Sequence, residues 1–344
     1  MKKNADLSPG SITLVDVAKE AGVSAITVSR TIRSPEIVSE ASRKKVETAI
    51  AKLGYAPDPA ASALASKTTS TIGLLVPSLT NNVFADVVRG VYDGIEGTRY
   101  FVQIGNFRYS ALKEEDLLRV FLRQKPAGLI VSGFDQTAQA CDLLRNAPCP
   151  VVQIMDFGPE PADMAIGFEH RDAARAATQH LLDSGYKKPG FLGARMDPRS
   201  QARLEGFKDV CRAADIMDEA RIVTTRQPSN VGMGRQLFEL LLSRAPDTDA
   251  VFCNNDDLAI GVLMEAQRRN ITVPTDFGVC GFNDIEIARN MVPEMTSVST
   301  PRYDIGRRAI QMILDEIKSP GSVEDRNCNL GFELIERSST LRRS

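Results

Sequence analysis

From residue 71 to about residue 340 the chain repeats one pattern, and that pattern leaves few folds open. Short apolar runs recur: TIGLLVP, YFVQIGNF, AGLIVSG, PVVQIMD, MAIGF, KPGFLGA, RIVTTR, AVFCNND and FGVCGFND. Stretches with helical periodicity lie between them, at 84–98, 113–124, 171–184, 202–214, 231–244 and 258–269. An apolar run without alternation belongs to a strand buried on both faces. Such runs spaced by amphipathic helices predict parallel sheets covered by helices on both sides. The length of this region exceeds one ordinary hydrophobic core, so two lobes are expected.

The chemistry of the chain narrows its class. The 344 residues are 43% apolar and include six cysteines with no CxxC spacing, and only two histidines, His170 and His180. That usage argues against a zinc centre or a disulfide framework and fits a reducing cytoplasm. No metal and no cofactor is expected. No stretch reaches 18 consecutive apolar residues, so neither a signal peptide nor a membrane span is expected.

Residues 13–30, TLVDVAKEAGVSAITVSR, have a different texture. Thr13 is a natural N-cap, and Asp16 completes a capping-box-like pair. Leu14, Val17, Ala18 and Ala21 fall on one face. Gly22 stands where a helix needs a left-handed residue to stop. Val23 fills the space between two helices, and Ser24 caps the second. In that second helix, 25–32, Val28 and Ile32 turn to the core. Ala25, Ile26, Thr27, Ser29 and Arg30 are left as a small, hydroxyl-rich face suited to base edges and phosphates. A helix-turn-helix docks its second helix in the major groove in this way. A third amphipathic helix, 39–53, puts Val46, Ala49 and Leu53 inward and Arg43, Lys44 and Lys45 outward. Residues 1–70 hold ten Lys and Arg against seven Asp and Glu, a net charge of +3, whereas the whole chain is −2. A basic end on an acidic body points to a nucleic-acid module.

The segments VDVAKEAGVSAITVSR and VSEASRKKVETAIAKLGYAPD resemble the N-terminal domain of LacI-family transcriptional regulators, and the resemblance extends over nearly the whole chain. It implies an all-α helix-turn-helix DNA-binding domain followed by an α/β periplasmic-binding-protein-like bilobed core, made of two Rossmann-like parallel-sheet lobes. The expected divisions are a disordered lead at 1–12, the DNA-binding domain at 13–55, a hinge helix and linker at 56–70 and the core at 71–340. Interlobe crossings are placed near 168, 297 and 326, giving lobe one 71–168 plus 297–326 and lobe two 169–296 plus 327–340.

Pro57 and Pro59 break the preceding helix, and residues 60–66 are too few to hold a helix alone in water. By resemblance they form a hinge helix on operator DNA. Leu64 would wedge into a central minor-groove step, and Ala61 and its small neighbours would pack across a dimer axis. Residues expected at DNA are therefore Thr13, Leu14, Ser24, Ala25, Ile26, Thr27, Ser29, Arg30, Ala61 and Leu64.

Polar groups recur where strands end. Ser78, Asn82 and Phe84 follow the first strand, and Asp156 closes another. Arg195, Asp197, Arg199 and Arg203 follow a third. Asn254, Asn255 and Asp256 follow a fourth, and Asn283 and Asp284 a fifth. Each type is also an ordinary turn or capping residue. Together they suit a polyhydroxylated ligand, with arginine as a fork for a carboxylate or phosphate. By resemblance Asp156, Arg203, Asn255 and Asn283 contact the effector; Ser78, Asn82, Phe84 and Arg199 join the expected set from their place at strand ends, with Arg203 first and Arg199 second for a carboxylate. The segments LLVPSLTNNVFADVVRGV, VVQIMDFGPEPADMAIGFEHRDAARAAT, FLGARMDPRSQ and VFCNNDDLAIG are similar to the LacI-type repressors of gluconate utilisation. That similarity implies D-gluconate or a related sugar acid as inducer. The alternatives are another carbohydrate, or a ligand acting as corepressor. A homodimer on double-stranded operator DNA in the bacterial nucleoid is expected, its interface formed by helices at 84–98 and 303–318. A secreted sugar-binding protein has no use for residues 13–66. An enzyme is not expected, because no GxGxxG follows the first strand and no Walker sequence or nucleophile–His pairing is found.

Overall fold

The computed structural model describes residues 12–33, 37–55, 69–158 and 160–342. The chain divides into two compact units, Met1–Thr69 and Ser70–Ser344. The lead at 1–11 and the hinge, with Ala61 and Leu64, lie outside the described residues.

The first unit is built from α1 (Leu14–Ala21), α2 (Ala25–Arg33) and α3 (Glu40–Leu53). Thr13 and Asp16 form a reciprocal capping box, and Gly22 closes α1 at φ 64°. A residue with a Cβ is strained at that angle, which is why the tight turn falls here. Val17, Ala18, Val28, Val46 and Ala49 form the core, with Val23 packed between the helices. Lys52 of α3 pairs with Glu20 of α1 at 2.6 Å.

The second unit holds two six-stranded sheets among its described residues. The strands of the first are β1 (Thr71–Val76), β2 (Phe101–Asn106), β3 (Gly128–Ser132), β4 (Val151–Ile154), β5 (Met164–Gly167) and β11 (Asn327–Asn329). Their spatial order is β11-β5-β4-β3-β1-β2, parallel throughout. The second sheet contains β6 (Pro189–Gly193), β7 (Ile222–Thr224), β8 (Ala250–Cys253), β9 (Gly278–Asn283), β10 (Thr296–Ser299) and β12 (Glu333–Ile335). Its order is β12-β10-β9-β8-β6-β7, with only the β10–β12 pair antiparallel. All nine apolar runs became strands. In each sheet the strand order reverses beside the first strand, between β1 and β3 and between β6 and β8. Ligands of open α/β sheets bind beyond the carboxyl ends of strands at such reversals.

Helices α4 (Asn82–Ile95), α5 (Ala111–Arg123), α6 (Ala138–Arg145), α7 (His170–Asp183), α8 (Pro198–Ala213), α9 (Val231–Arg244), α10 (Asp256–Arg268) and α11 (Arg302–Lys318) cover the sheets. The α4–α11 pair is unusually close. A Cβ on Gly90 would lie 2.1 Å from the Tyr303 carbonyl, and one on Gly306 would lie 2.1 Å from the Val87 carbonyl. Glycine is the residue that allows this approach.

Two expected crossings move. β10 runs through residue 297 and stays in the second sheet, so the chain leaves that sheet only beyond Ser299. β11 pairs with β5 in the first sheet, so the last crossing lies between Asn329 and Glu333 rather than near 326. Ladder hydrogen bonds fix both strands, and their short polar sequences carry little periodicity.

Candidate functional site

The carboxyl ends of the strands converge on a cavity of about 60 Å³. Phe84, Arg199, Arg203, Asn255 and Asn283 line it, as do Asn81, Tyr109, Met155, His170 and Ser200. α8 brings both arginines to it. Asp197 caps that helix by accepting from Ser200 N at 2.9 Å, so Arg199 and Arg203 project from its first turns. Arg199 donates to Ser132 Oγ at the end of β3 and lies 3.6 Å from Asp197. Burial works against its charge, but Asp197, Asp135 and Asp156 outweigh this and hold its pKa above the ordinary arginine value. Burial raises Asp156 to about 6 despite Arg199.

Arg203 is different. It donates to Asn254 O at 2.5 Å and, from Nε and Nη2, to His170 Nδ1 at 3.2 and 3.1 Å. Its guanidinium carbon lies 3.7 Å from the centre of the Phe282 ring. Only 9% of the residue is exposed, and no carboxylate among the described residues pairs with it. Burial lowers its pKa to about 10, so it stays charged at neutral pH.

Three expected contacts change place. Asn82 is exposed as the first residue of α4 and borders a smaller neighbouring cavity. Asn81 is the N-cap; it accepts from Val83 N and reaches Tyr109 Oη at 3.2 Å, which turns it into the larger cavity. The Ser78 hydroxyl accepts from Thr80 N and Asn81 N and serves the turn. Asp156 stands at the end of β4 beside the arginines, outside the lining, and accepts from Phe157 N. Tyr109 and His170 were missed. Tyr109 receives the Arg195 guanidinium over its ring at 3.6 Å, joining residues beyond β2 and β6.

In the first unit, Ser24 Oγ accepts from Thr27 N at 3.1 Å and so caps α2. Ile26, 64% exposed, and Arg30 face outward, with Thr27 and Ser29 half-buried. Leu14 and Ala25, expected at DNA, are half-buried and pack on the core. Each lies one helical step from a core residue, Val17 or Val28, which draws it inward. Thr13 is engaged with Asp16 through both backbone and hydroxyl.

Residues 13–58 match the family described as bacterial regulatory proteins, lacI family, and residues 178–340 match the periplasmic binding protein-like domain. The chain is 40% identical over 331 residues to the HTH-type transcriptional regulator GntR of Pseudomonas aeruginosa, covering 96% of each. A LacI-family regulator from Silicibacter pomeroyi superposes with a TM-score of 0.86 at 33% identity, over 96% of this chain and 100% of that one. The transcription regulator GntR from Chromobacterium violaceum gives a TM-score of 0.75 at 38% identity, over 78% of this chain and 99% of that one. No helix among the described residues is long and apolar enough to cross a membrane. With a capped helix-turn-helix followed by a two-sheet parallel core, and relatives of this identity along nearly the whole chain, the protein belongs to the LacI family of DNA-binding transcriptional repressors.

Proposed function

We propose that this repressor controls sugar-acid utilisation genes and that D-gluconate, or a close relative of it, releases it from a pseudo-palindromic operator. The repressor acts in the bacterial cytoplasm as a homodimer. Its hinge segment, with Ala61 and Leu64, engages the operator centre. Ile26, Thr27, Ser29 and Arg30 of α2 face the major groove. The observation that carries the anionic ligand is Arg203, a buried cation lining the cavity with no carboxylate partner among the described residues. Asp197, Asp156 and Asp256 act on Arg203 only from beyond ion-pair contact. A buried charge without a carboxylate in direct contact is costly, and a ligand carboxylate relieves that cost through charge-assisted hydrogen bonds. Asn81, Tyr109, Ser200, Asn255 and Asn283 supply the two-way donors and acceptors that sugar hydroxyls need. The similarity of four segments to repressors of gluconate utilisation narrows the acid.

The ligand acts by favouring the lobe arrangement with low operator affinity, and only its differential affinity for the two states can do so. The test is fluorescence anisotropy of a labelled palindrome from the gene's upstream DNA, at fixed salt, with and without gluconate. Release by gluconate is the expected result. Tightening of the complex would make the ligand a corepressor, and DNA binding indifferent to gluconate would refute the acid assignment.

A further inference from the structure

His170 begins α7, just past the first crossing between sheets, and is 2% exposed. Both of its ring nitrogens are engaged. Arginine can only donate, so the two Arg203 contacts make Nδ1 an acceptor. The proton is then on Nε2, which donates to Met155 O at the end of β4, 2.9 Å away. The ring is held between Phe168, at 4.3 Å between centroids, and Phe282, at 6.0 Å. A second ring proton has no acceptor in this arrangement and would face a guanidinium. Burial and Arg203 accordingly press the pKa well below the usual 6.5.

The consequence falls on Arg203. His170 occupies the Nε–Nη2 edge as a carboxylate would, but brings no charge. Asn254 O takes one N–H of Nη1. Of the guanidinium's five N–H groups, one on each Nη remains for a ligand.

We propose that His170 sets the charge preference of the cleft, as a neutral side-on acceptor that orients Arg203 while leaving its positive charge for the ligand. This inference rests on the proposed ligand site and adds a specificity-determining residue to it. A carboxylate at position 170 would supply the counter-ion internally and remove the advantage of an acid over an alcohol.

The experiment is isothermal titration of the full chain with D-gluconate and with D-glucitol, which carries an alcohol in place of the carboxylate. The native protein, His170→Gln and His170→Glu are compared. The native chain is expected to prefer gluconate by about tenfold or more. His170→Gln, a neutral acceptor, is expected to weaken binding yet keep that preference. His170→Glu is expected to bring the two ligands to within about threefold of each other, with operator binding and thermal unfolding retained as the check on folding. A folded His170→Glu that still prefers the acid, or a His170→Gln that loses the preference equally, overturns the role of His170. A native chain without the preference overturns the ligand reading itself, and His170's role with it, before any variant is made. Should His170→Glu not fold, imidazole nitrogen NMR of the native protein decides. A neutral Nε2–H ring across about pH 6 to 8 supports the assignment, and a ring titrating in that range overturns it.

Discussion

Replacing Glu114 with glutamine is expected to stabilise the second unit at alkaline pH and to do almost nothing at acid pH. Glu114 lies in α5, only 1% exposed, and accepts from Gln136 Nε2 at 3.2 Å. Gln136 also donates to Gly133 O, beside the Ser132 that receives Arg199, so this buried network underlies the cleft. Burial is the largest influence on Glu114. With Asp135 it outweighs Gln136 and Arg199 and raises the carboxyl from 4.5 to about 7. The folded protein therefore binds this proton more tightly than the unfolded chain does. Between those two values the native state carries more protons, so stability falls as pH rises. The contribution is fully present below the unfolded value and is lost as pH rises through about 7. At roughly 1.4 kcal/mol per unit the loss is about 3 kcal/mol. Glutamine keeps the acceptor oxygen and removes the charge. Urea unfolding of native and Glu114→Gln protein at about pH 5 and pH 8 measures the double difference. A gain of about 2–3 kcal/mol at the higher pH that shrinks toward zero at the lower is the expected result. A difference that is the same at both pH values would show that the Glu114 carboxyl is not raised by folding.

Arg203→Ala is expected to abolish gluconate-driven release in the anisotropy assay while leaving operator affinity intact; loss of DNA binding by a folded variant would contradict its assignment to the ligand. Gly306→Ala places a Cβ 2.1 Å from the Val87 carbonyl and must push α4 and α11 apart. Overpacking of that kind costs about 1–3 kcal/mol, read by thermal or urea unfolding, and an unchanged midpoint would show that the helices separate freely. Arg30→Ala is expected to weaken operator binding. A salt slope reduced by about one marks a phosphate contact and an unchanged slope with relaxed sequence preference marks a base contact; unaltered affinity removes Arg30 from the interface.

The sheets were legible because strands buried on both faces have nowhere to place polar residues. β1, β3, β4 and β8 are apolar almost throughout and could be read from TIGLLV, GLIVS, VVQI and AVFC. β10, β11 and β12, reading TSVS, NCN and ELI, were not legible, since their pairing partners and not their own patterns fix them. The eight-residue α6 was also missed. In the cleft, Phe84, Arg199, Arg203, Asn255 and Asn283 could be found because the fold class says where strand ends gather. Asn81, one position before the expected Asn82, is the asparagine that lines the larger cavity. The N-cap accepts from Val83 N and turns inward, whereas the next residue begins the helix on its outer side. His170 and Tyr109 depend on distant neighbours, Arg203 and Arg195, and no local spacing announces such contacts.

In the proposed mechanism ligand and operator compete through two states of one molecule, and thermodynamic linkage makes that competition measurable. The gluconate affinity of the free protein and of the protein saturated with operator is measured by titration calorimetry at one salt concentration. Coupling must be reciprocal, so the ratio of these affinities equals the factor by which gluconate weakens operator binding. Free protein is expected to bind gluconate at least about tenfold more tightly than the operator complex does, roughly 1.4 kcal/mol of coupling. Equal gluconate affinity in the two forms would contradict it.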